Sequence, residues 1–220
     1  MWSYHGRKSK TVHLYPVPKY DTIIEPFAGT ACYSLHENNW TKNVILRDVN
    51  PQIIRLWKWL QNDATVEKIM DLPSPERGKL PDIEPVEAKW LVAFWSNRGS
   101  AAPRKSASRL CTFTHKKKVE TAGNLHKIKH WDIQFGSYEA IPNIKATWFI
   151  DPPYKGAANY YKYCEDLDYG KLGEWCETRR GQAIVCGGEK DEWLPFEPLC
   201  KANSQNNTRY LERVYVNRSV

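Results

Sequence analysis

The tetrapeptide Asp151-Pro152-Pro153-Tyr154 follows the apolar run Trp148-Phe149-Ile150, and its residue types can hold a flat heterocyclic amine. Tyr154 offers a ring for stacking. Asp151 offers a carboxylate acceptor, and the two prolines restrict the backbone so that the Pro152 carbonyl can aim at the same donor instead of joining a sheet ladder. The lone pair of an exocyclic amine on adenine or cytosine is delocalised into the ring, which makes it a poor nucleophile. Acceptors that take both of its hydrogens draw the nitrogen towards tetrahedral geometry, and they stabilise the charge that builds there during attack. Read in isolation, the same four residues are a proline-rich turn closing a buried strand.

A second constellation has the form of a nucleoside site. Thr22-Ile23-Ile24 reads as a short buried strand running into Glu25-Pro26-Phe27-Ala28-Gly29-Thr30, where Gly29 permits close approach of backbone to a ligand. A helix is expected to begin at Ala31 to His36, presenting its amino end to that ligand. Val44-Ile45-Leu46 reads as the next strand, ending near Asp48. That acid follows the turn at about the spacing, roughly 20 residues, of the carboxylate that binds ribose hydroxyls in nucleoside-binding folds. Asp48, lying before Asn50-Pro51, also reads as a cap for a helix over Ile53 to Leu60. The chain has no GxGxxG pattern, so a dinucleotide site is the weaker reading.

These motifs together resemble the stand-alone, Dam-type (D12 class) adenine-specific DNA methyltransferases, which use S-adenosylmethionine. Tyr4-His5-Gly6-Arg7-Lys8 looks like the family's YxGxK segment, Glu25-Pro26-Phe27-Ala28-Gly29 like its EPFxG loop, and Asp151-Pro152-Pro153-Tyr154 is its DPPY signature. The resemblance implies an α/β, Rossmann-like class I methyltransferase fold with a mostly parallel sheet and a small inserted DNA-recognition region. It implies a cofactor site at Tyr4, Lys8, Glu25, Phe27, Ala28, Gly29 and Asp48, with Ser137 and Tyr138 as a wall of the adenine pocket. It also implies catalytic roles for Asp151, Pro152 and Tyr154, with Tyr161 or its neighbour Tyr160 against a flipped base. No metal is required. The implied reaction methylates N6 of adenine in DNA after base flipping. Cytosine N4, adenine in RNA, and a nucleic-acid-binding protein with a silent methyltransferase fold stand as alternatives.

The charge distribution points to the same class of partner. The net charge is +7, from 32 basic and 25 acidic residues, and Arg98, Arg104, Lys105, Arg109, Lys116, Lys117 and Lys118 fall in one stretch without an acid. Those seven cations equal the whole excess, as expected for a surface that meets the phosphates of double-stranded DNA. Ser96, Asn97, Gly99, Ser100, Ser106 and Ser108 lie among them and can add hydrogen bonds, while Phe94, Trp95 and Phe113 can either fill the gap left by an extruded base or pack on the main domain. Among these, Arg98, Arg104, Lys105 and Arg109 are the candidate DNA contacts.

The cysteines, Cys32, Cys111, Cys164, Cys176, Cys186 and Cys200, form no CxxC pair, and none follows a proline as the nucleophile of cytosine carbon-5 methyltransferases does. His115, His126 and His130 read as surface or phosphate contacts. No apolar run approaches the ~20 residues of a membrane span, and no signal segment leads the chain, so the expectation is a cytoplasmic protein, in the host cytoplasm if a phage encodes it. The remaining elements read as a boundary loop over 71–85, a helix over 86–95, strands over 131–135 and 147–150, a helix over 167–180, a strand over 182–186 and a closing strand over 209–216. The expected division is a catalytic domain of residues 1–85 and 131–220, with a target-recognition region of residues 86–130 inserted.

Overall fold

The computed structural model describes residues 1–220 except 77, 157–160, 164–166, 204–208 and 218–220. Within the described residues, one sheet contains β1 Thr22–Glu25, β2 Asn43–Asp48, β3 Asp132–Phe135, β4 Ala146–Ile150, β5 Gly181–Gly187, β6 Glu197–Asn203 and β7 Arg209–Val216. The order across it is β3-β2-β1-β4-β5-β7-β6. β1 to β5 are parallel, and β7 runs antiparallel between β5 and β6. The helices are α1 Pro51–Asn62, α2 Val66–Asp71, α3 Val86–Ser96, α4 His115–Asn124 and α5 Tyr169–Glu177. This is the mixed α/β, mostly parallel, Rossmann-like arrangement that the resemblance implied.

Strand alternation divides the apolar residues between two cores. Ile23, Phe149, Ile184 and Cys186 face one side, where they join Leu56, Trp57, Phe94 and Trp95. Ile24, Trp148, Ile150, Ala183 and Val185 face the other, with Leu172, Cys176 and Leu194. All five residues of β4 are buried, which is why this strand reads as an unbroken apolar run rather than an alternating one. Each large side chain covered in this way contributes on the order of 1.5–3 kcal/mol.

α1 starts where Asn50 accepts from the Gln52 amide and Pro51 occupies the first turn, and it buries Ile53, Ile54, Leu56, Trp57, Trp59 and Leu60. The cap is therefore Asn50, whose amide is held by Asp48 two residues before it. Between Ala31 and His36 the chain makes turns where a helix was expected. Ala31 has φ +47°, and the Glu25 carboxylate takes the Ser34 amide at 2.8 Å, so a buried side chain supplies the acceptor that a helical ladder would have provided. α4 and β6, like the short α2, are additions to the sequence reading. The first carries too many lysines to display an apolar stripe, and the second has a bulge between Pro198 and Cys200.

Leu91, Val92, Phe94 and Trp95 of α3, together with Ala122, Leu125 and Ile128, belong to the same core as Trp2 and Trp57. The irregular part of residues 86–130 is the stretch 97–114.

Gly181 opens β5 with φ +100°, and a Cβ there would stand 2.3 Å from the Ala146 carbonyl oxygen at the start of β4. Gly181→Ala is expected to cost about 3 kcal/mol or more, because it combines backbone strain with a clash against a rigid neighbour. Urea unfolding measures it, and a loss below about 1 kcal/mol would mean that the two strand ends can part without consequence.

Candidate active site

Parallel strands bring their carboxyl ends to one edge of the sheet, and pairing register sets the level of each end. Glu25 pairs with Leu46, and Ile24 pairs with Trp148. Phe27, Asp48 and Asp151, each two or three residues farther along, therefore emerge side by side where the strand order reverses. The Ala28 amide donates to the Arg47 carbonyl at 2.9 Å, and the Trp57 indole of α1 donates to the Gly29 carbonyl at 2.9 Å. Asp48 is built into this loop, its Oδ2 accepting from the Gly29 amide at 3.0 Å and its Oδ1 from the Asn50 amide at 2.8 Å. Burial raises its pKa to about 6, against the pull of those two amides.

One cavity of about 170 Å³ is lined by Tyr4 to Lys8, by Glu25 and Phe27 to Cys32, by Asp48 to Asn50, and by Asp151 to Tyr154. Of the candidates singled out in the sequence, Tyr4, Lys8, Glu25, Phe27, Ala28, Gly29, Asp48, Asp151, Pro152, Tyr154 and Tyr161 all reach it. Ser137 and Tyr138 do not line it. Tyr138 lies behind the wall, stacked on Phe27 with ring centroids 5.5 Å apart, while the Ser137 carbonyl receives Arg47. Tyr161 donates its hydroxyl to the His5 carbonyl at 3.1 Å and packs 6.2 Å from Tyr4. Tyr160 lies outside the described residues, as does Cys164.

The Asp151-Pro152-Pro153-Tyr154 segment is held from below. Tyr169 donates to the Pro153 carbonyl at 2.6 Å, and buried Asp191 takes the Lys155 amide at 3.1 Å and the Gly188 amide at 2.8 Å. The Tyr154 ring lies so close to Gly188 that a Cβ there would meet ring carbon Cδ2 at 2.7 Å. Lys8, 5% exposed, places its ammonium 2.9 Å from Asp151 Oδ1, 3.4 Å from Glu212 Oε1 and 4.5 Å from the Tyr154 ring centre. Burial works against the charge on Lys8, but Asp151, Tyr154 and Glu212 outweigh it and hold the Lys8 pKa well above the ordinary value. Burial raises the Asp151 pKa; Lys8 opposes the rise and Glu212 adds to it. Glu212 is absent from the sequence reading, because a lone acid in a closing strand carries no local signal.

The basic stretch divides by role. Arg98, Arg104, Lys105 and Arg109 are exposed. Lys117 instead caps the Trp95 carbonyl at 2.7 Å, with its pKa lowered to about 8 by burial, and Lys118 caps the Met70 carbonyl at 2.8 Å. Ser96 and Asn97 turn inward to the carbonyls of Val92 and Ala93. Phe94 and Trp95 are buried, so they pack rather than insert, whereas Leu110, 86% exposed, is the large apolar side chain that this stretch presents to solvent. Ala101 and Ala102 line the cavity, so the start of the stretch reaches its mouth. His126 packs edge-on to Trp40, and His130 meets the Lys42 carbonyl. Among the described residues there is no cluster of three or more acidic, histidine or cysteine side chains able to hold a metal, and no helix is long and apolar enough to cross a membrane.

Residues 4–82 match the sequence profile of the D12 class N6 adenine-specific DNA methyltransferases. That span contains the amino-terminal segment, the β1 loop and Asp48, and it ends before Asp151, which only the folded chain brings to the same cavity. No curated protein matches the chain.

Glu25, 3% exposed, has its pKa raised to about 8, first by burial and then by Asp151, against the hydrogen bond from Ser34. A carboxyl with a raised folded pKa stabilises fully below its unfolded value of about 4.5, and that contribution is lost as pH rises through 8. Glu25→Gln, which keeps an acceptor for Ser34, is therefore expected to gain on the parent between pH 4.5 and 8, by on the order of a few kcal/mol at the upper end. Thermal unfolding across that window measures the gain. Parallel stability curves for the two proteins would show that Glu25 is not the group that titrates.

Proposed function

We propose, on the premise that this chain is a D12 class N6 adenine-specific DNA methyltransferase, that it methylates adenine extruded from double-stranded DNA, with S-adenosylmethionine as donor. The observation that carries the reading is the single cavity in which the matched amino-terminal third meets Asp151-Pro152-Pro153-Tyr154. The side chains around that cavity suit the donor. Asp48 has unused lone pairs for ribose hydroxyls, Phe27 offers an apolar wall for a purine, and Gly29 with φ +42° keeps the loop free of a side chain where a ligand must approach. When bound, S-adenosylmethionine supplies an electrophilic sulfonium methyl.

Asp151 and the Pro152 carbonyl accept the two hydrogens of the adenine amine and thereby aim its lone pair. Lys8 occupies one lone pair of Asp151 and leaves others for that amine. Tyr154 stacks on the base, and Tyr161 closes the side of the cavity next to Tyr4 and His5. Lys8 is engaged with carboxylates, so the exposed Arg7 on the cavity wall is the better partner for the methionine carboxylate. Arg98, Arg104, Lys105 and Arg109 meet phosphates, and Leu110 beside them is the apolar side chain available to fill the space of the extruded base.

Two single substitutions separate donor binding from chemistry. Asp48→Ala should weaken S-adenosylmethionine binding by about 1–3 kcal/mol, read by calorimetry. Asp151→Ala should leave that affinity largely intact and abolish most single-turnover methylation of duplex DNA, read by nucleoside analysis of the product. Substantial turnover by the Asp151 variant would remove the carboxylate from its assigned role, and unchanged donor affinity in the Asp48 variant would remove Asp48 from the site.

Replacing Arg104, Lys105 and Arg109 together with Ala should weaken DNA binding on all sequences and reduce the slope of log affinity against log salt by about 2–3. An unchanged slope would place the DNA path elsewhere. A loss confined to one sequence would make at least one of the three a reader of bases.

A further inference from the structure

Glu212 does not line the cavity but touches two residues that do, Lys8 and Tyr154, although it belongs to the far strand β7. Because β7 is antiparallel and pairs Arg213 with Gly187, it delivers the next residue, Glu212, to the carboxyl end of the parallel strands, level with the motif. The side chain is fully buried. Its Oε1 accepts from the Tyr15 hydroxyl at 2.6 Å and from the Tyr154 hydroxyl, and lies 3.4 Å from Lys8 Nζ. Its Oε2 is buried without a hydrogen-bond partner among the described residues. A buried carboxylate oxygen left without a donor is costly, and such a cost persists where the arrangement serves a role in the site.

We propose that Glu212 is a positioning residue of this active site: it fixes the Tyr154 ring through its hydroxyl and shares Lys8 with Asp151, so that Asp151 stays open to the target amine. The proposal rests on the methyltransferase reading for the identity of that amine, but the coupling of the three charged side chains stands on geometry alone. With one carboxylate, Lys8 would be committed to Asp151 and would compete with the incoming base. With two, the ammonium has a second seat whose Oε2 still has both lone pairs to offer. Glu212 makes and breaks no bond in the reaction.

The titratable groups whose charge acts on or feels Asp151 are Lys8 from the amino-terminal segment, Tyr15, Glu25 of β1, Tyr154, Cys186 of β5, and Glu212 and Tyr210 of β7. Glu212→Gln keeps an oxygen acceptor for both tyrosines, removes the charge and puts an amide NH2 in place of Oε2. Two readouts are then expected. Carbon-detected NMR titration of the Asp151 carboxyl should show its midpoint displaced to lower pH in the variant, since a neighbouring negative charge has gone. Single-turnover methylation should fall about tenfold or more, with donor affinity within about twofold of the parent and the acid limb of the pH profile moved in the same direction.

Tyr154→Phe, which deletes only the hydroxyl that Glu212 holds, should lower the same rate about threefold or more without moving donor affinity. An Asp151 midpoint unchanged by Glu212→Gln overturns the charge sharing. A Tyr154→Phe rate equal to the parent overturns the anchoring of the ring. If the parent protein transfers no methyl to adenine while the Asp151 midpoint still shifts, the functional reading fails and the coupling of Glu212 to Asp151 stands.

Discussion

Burying a lysine between two carboxylates is the constraint on which this site turns. Lys8 is almost entirely withdrawn from water and can stay charged there only because Asp151 and Glu212 are both within ion-pair distance. Removing one partner of such a cluster leaves a buried charge uncompensated, which costs far more than the intact arrangement contributes. The amino-terminal segment, the motif after β4 and the strand β7 are therefore tied to one another through a single ammonium group. Tyr15 and Tyr154 extend the tie, since burial raises both of their pKa values and so keeps on each hydroxyl the proton that it donates to Glu212.

Strand direction explains why these pieces meet. Five parallel strands aim their carboxyl ends at one edge, so the loop after β1, Asp48 after β2 and Asp151 after β4 converge without any long-range instruction beyond register. β7 enters against that direction and extends past the end of β5, so its amino-terminal half, with Glu212, lies at the same edge. The surrounding hydrogen bonds serve the same placement. Asp191 joins Lys155 to Gly188, and Trp57 joins α1 to the β1 loop, so two structural side chains set the spacing of the cavity walls.

The basic stretch illustrates how charge that looks uniform in one dimension acquires different roles in three. Lys117 and Lys118 end on backbone carbonyls and consolidate the packing of α3, α4 and α2, whereas Arg98, Arg104, Lys105, Arg109 and Lys116 stay in water. The aromatics change roles too: the apolar side chain that the stretch offers outward is Leu110, while Phe94 and Trp95 are part of the core.

The sequence by itself determined the identity of the cavity's main walls. Asp151-Pro152-Pro153-Tyr154, Glu25 to Gly29 and Asp48 are local motifs, and each follows an apolar strand whose burial is readable from composition alone. The helix at Ile53 and the closing strand at Arg209 were legible for the same reason, because periodicity is a property of neighbours. Only the tertiary structure decided that Ala31 to His36 turns instead of coiling, since the acceptor for Ser34 is Glu25, nine residues back and buried by packing. Only tertiary structure made Glu212 a member of the site and put Tyr138 behind Phe27. A partner 197 residues away, as Tyr15 is from Glu212, leaves no period in the chain, and its contribution arises from the sheet order that brings β7 beside β5.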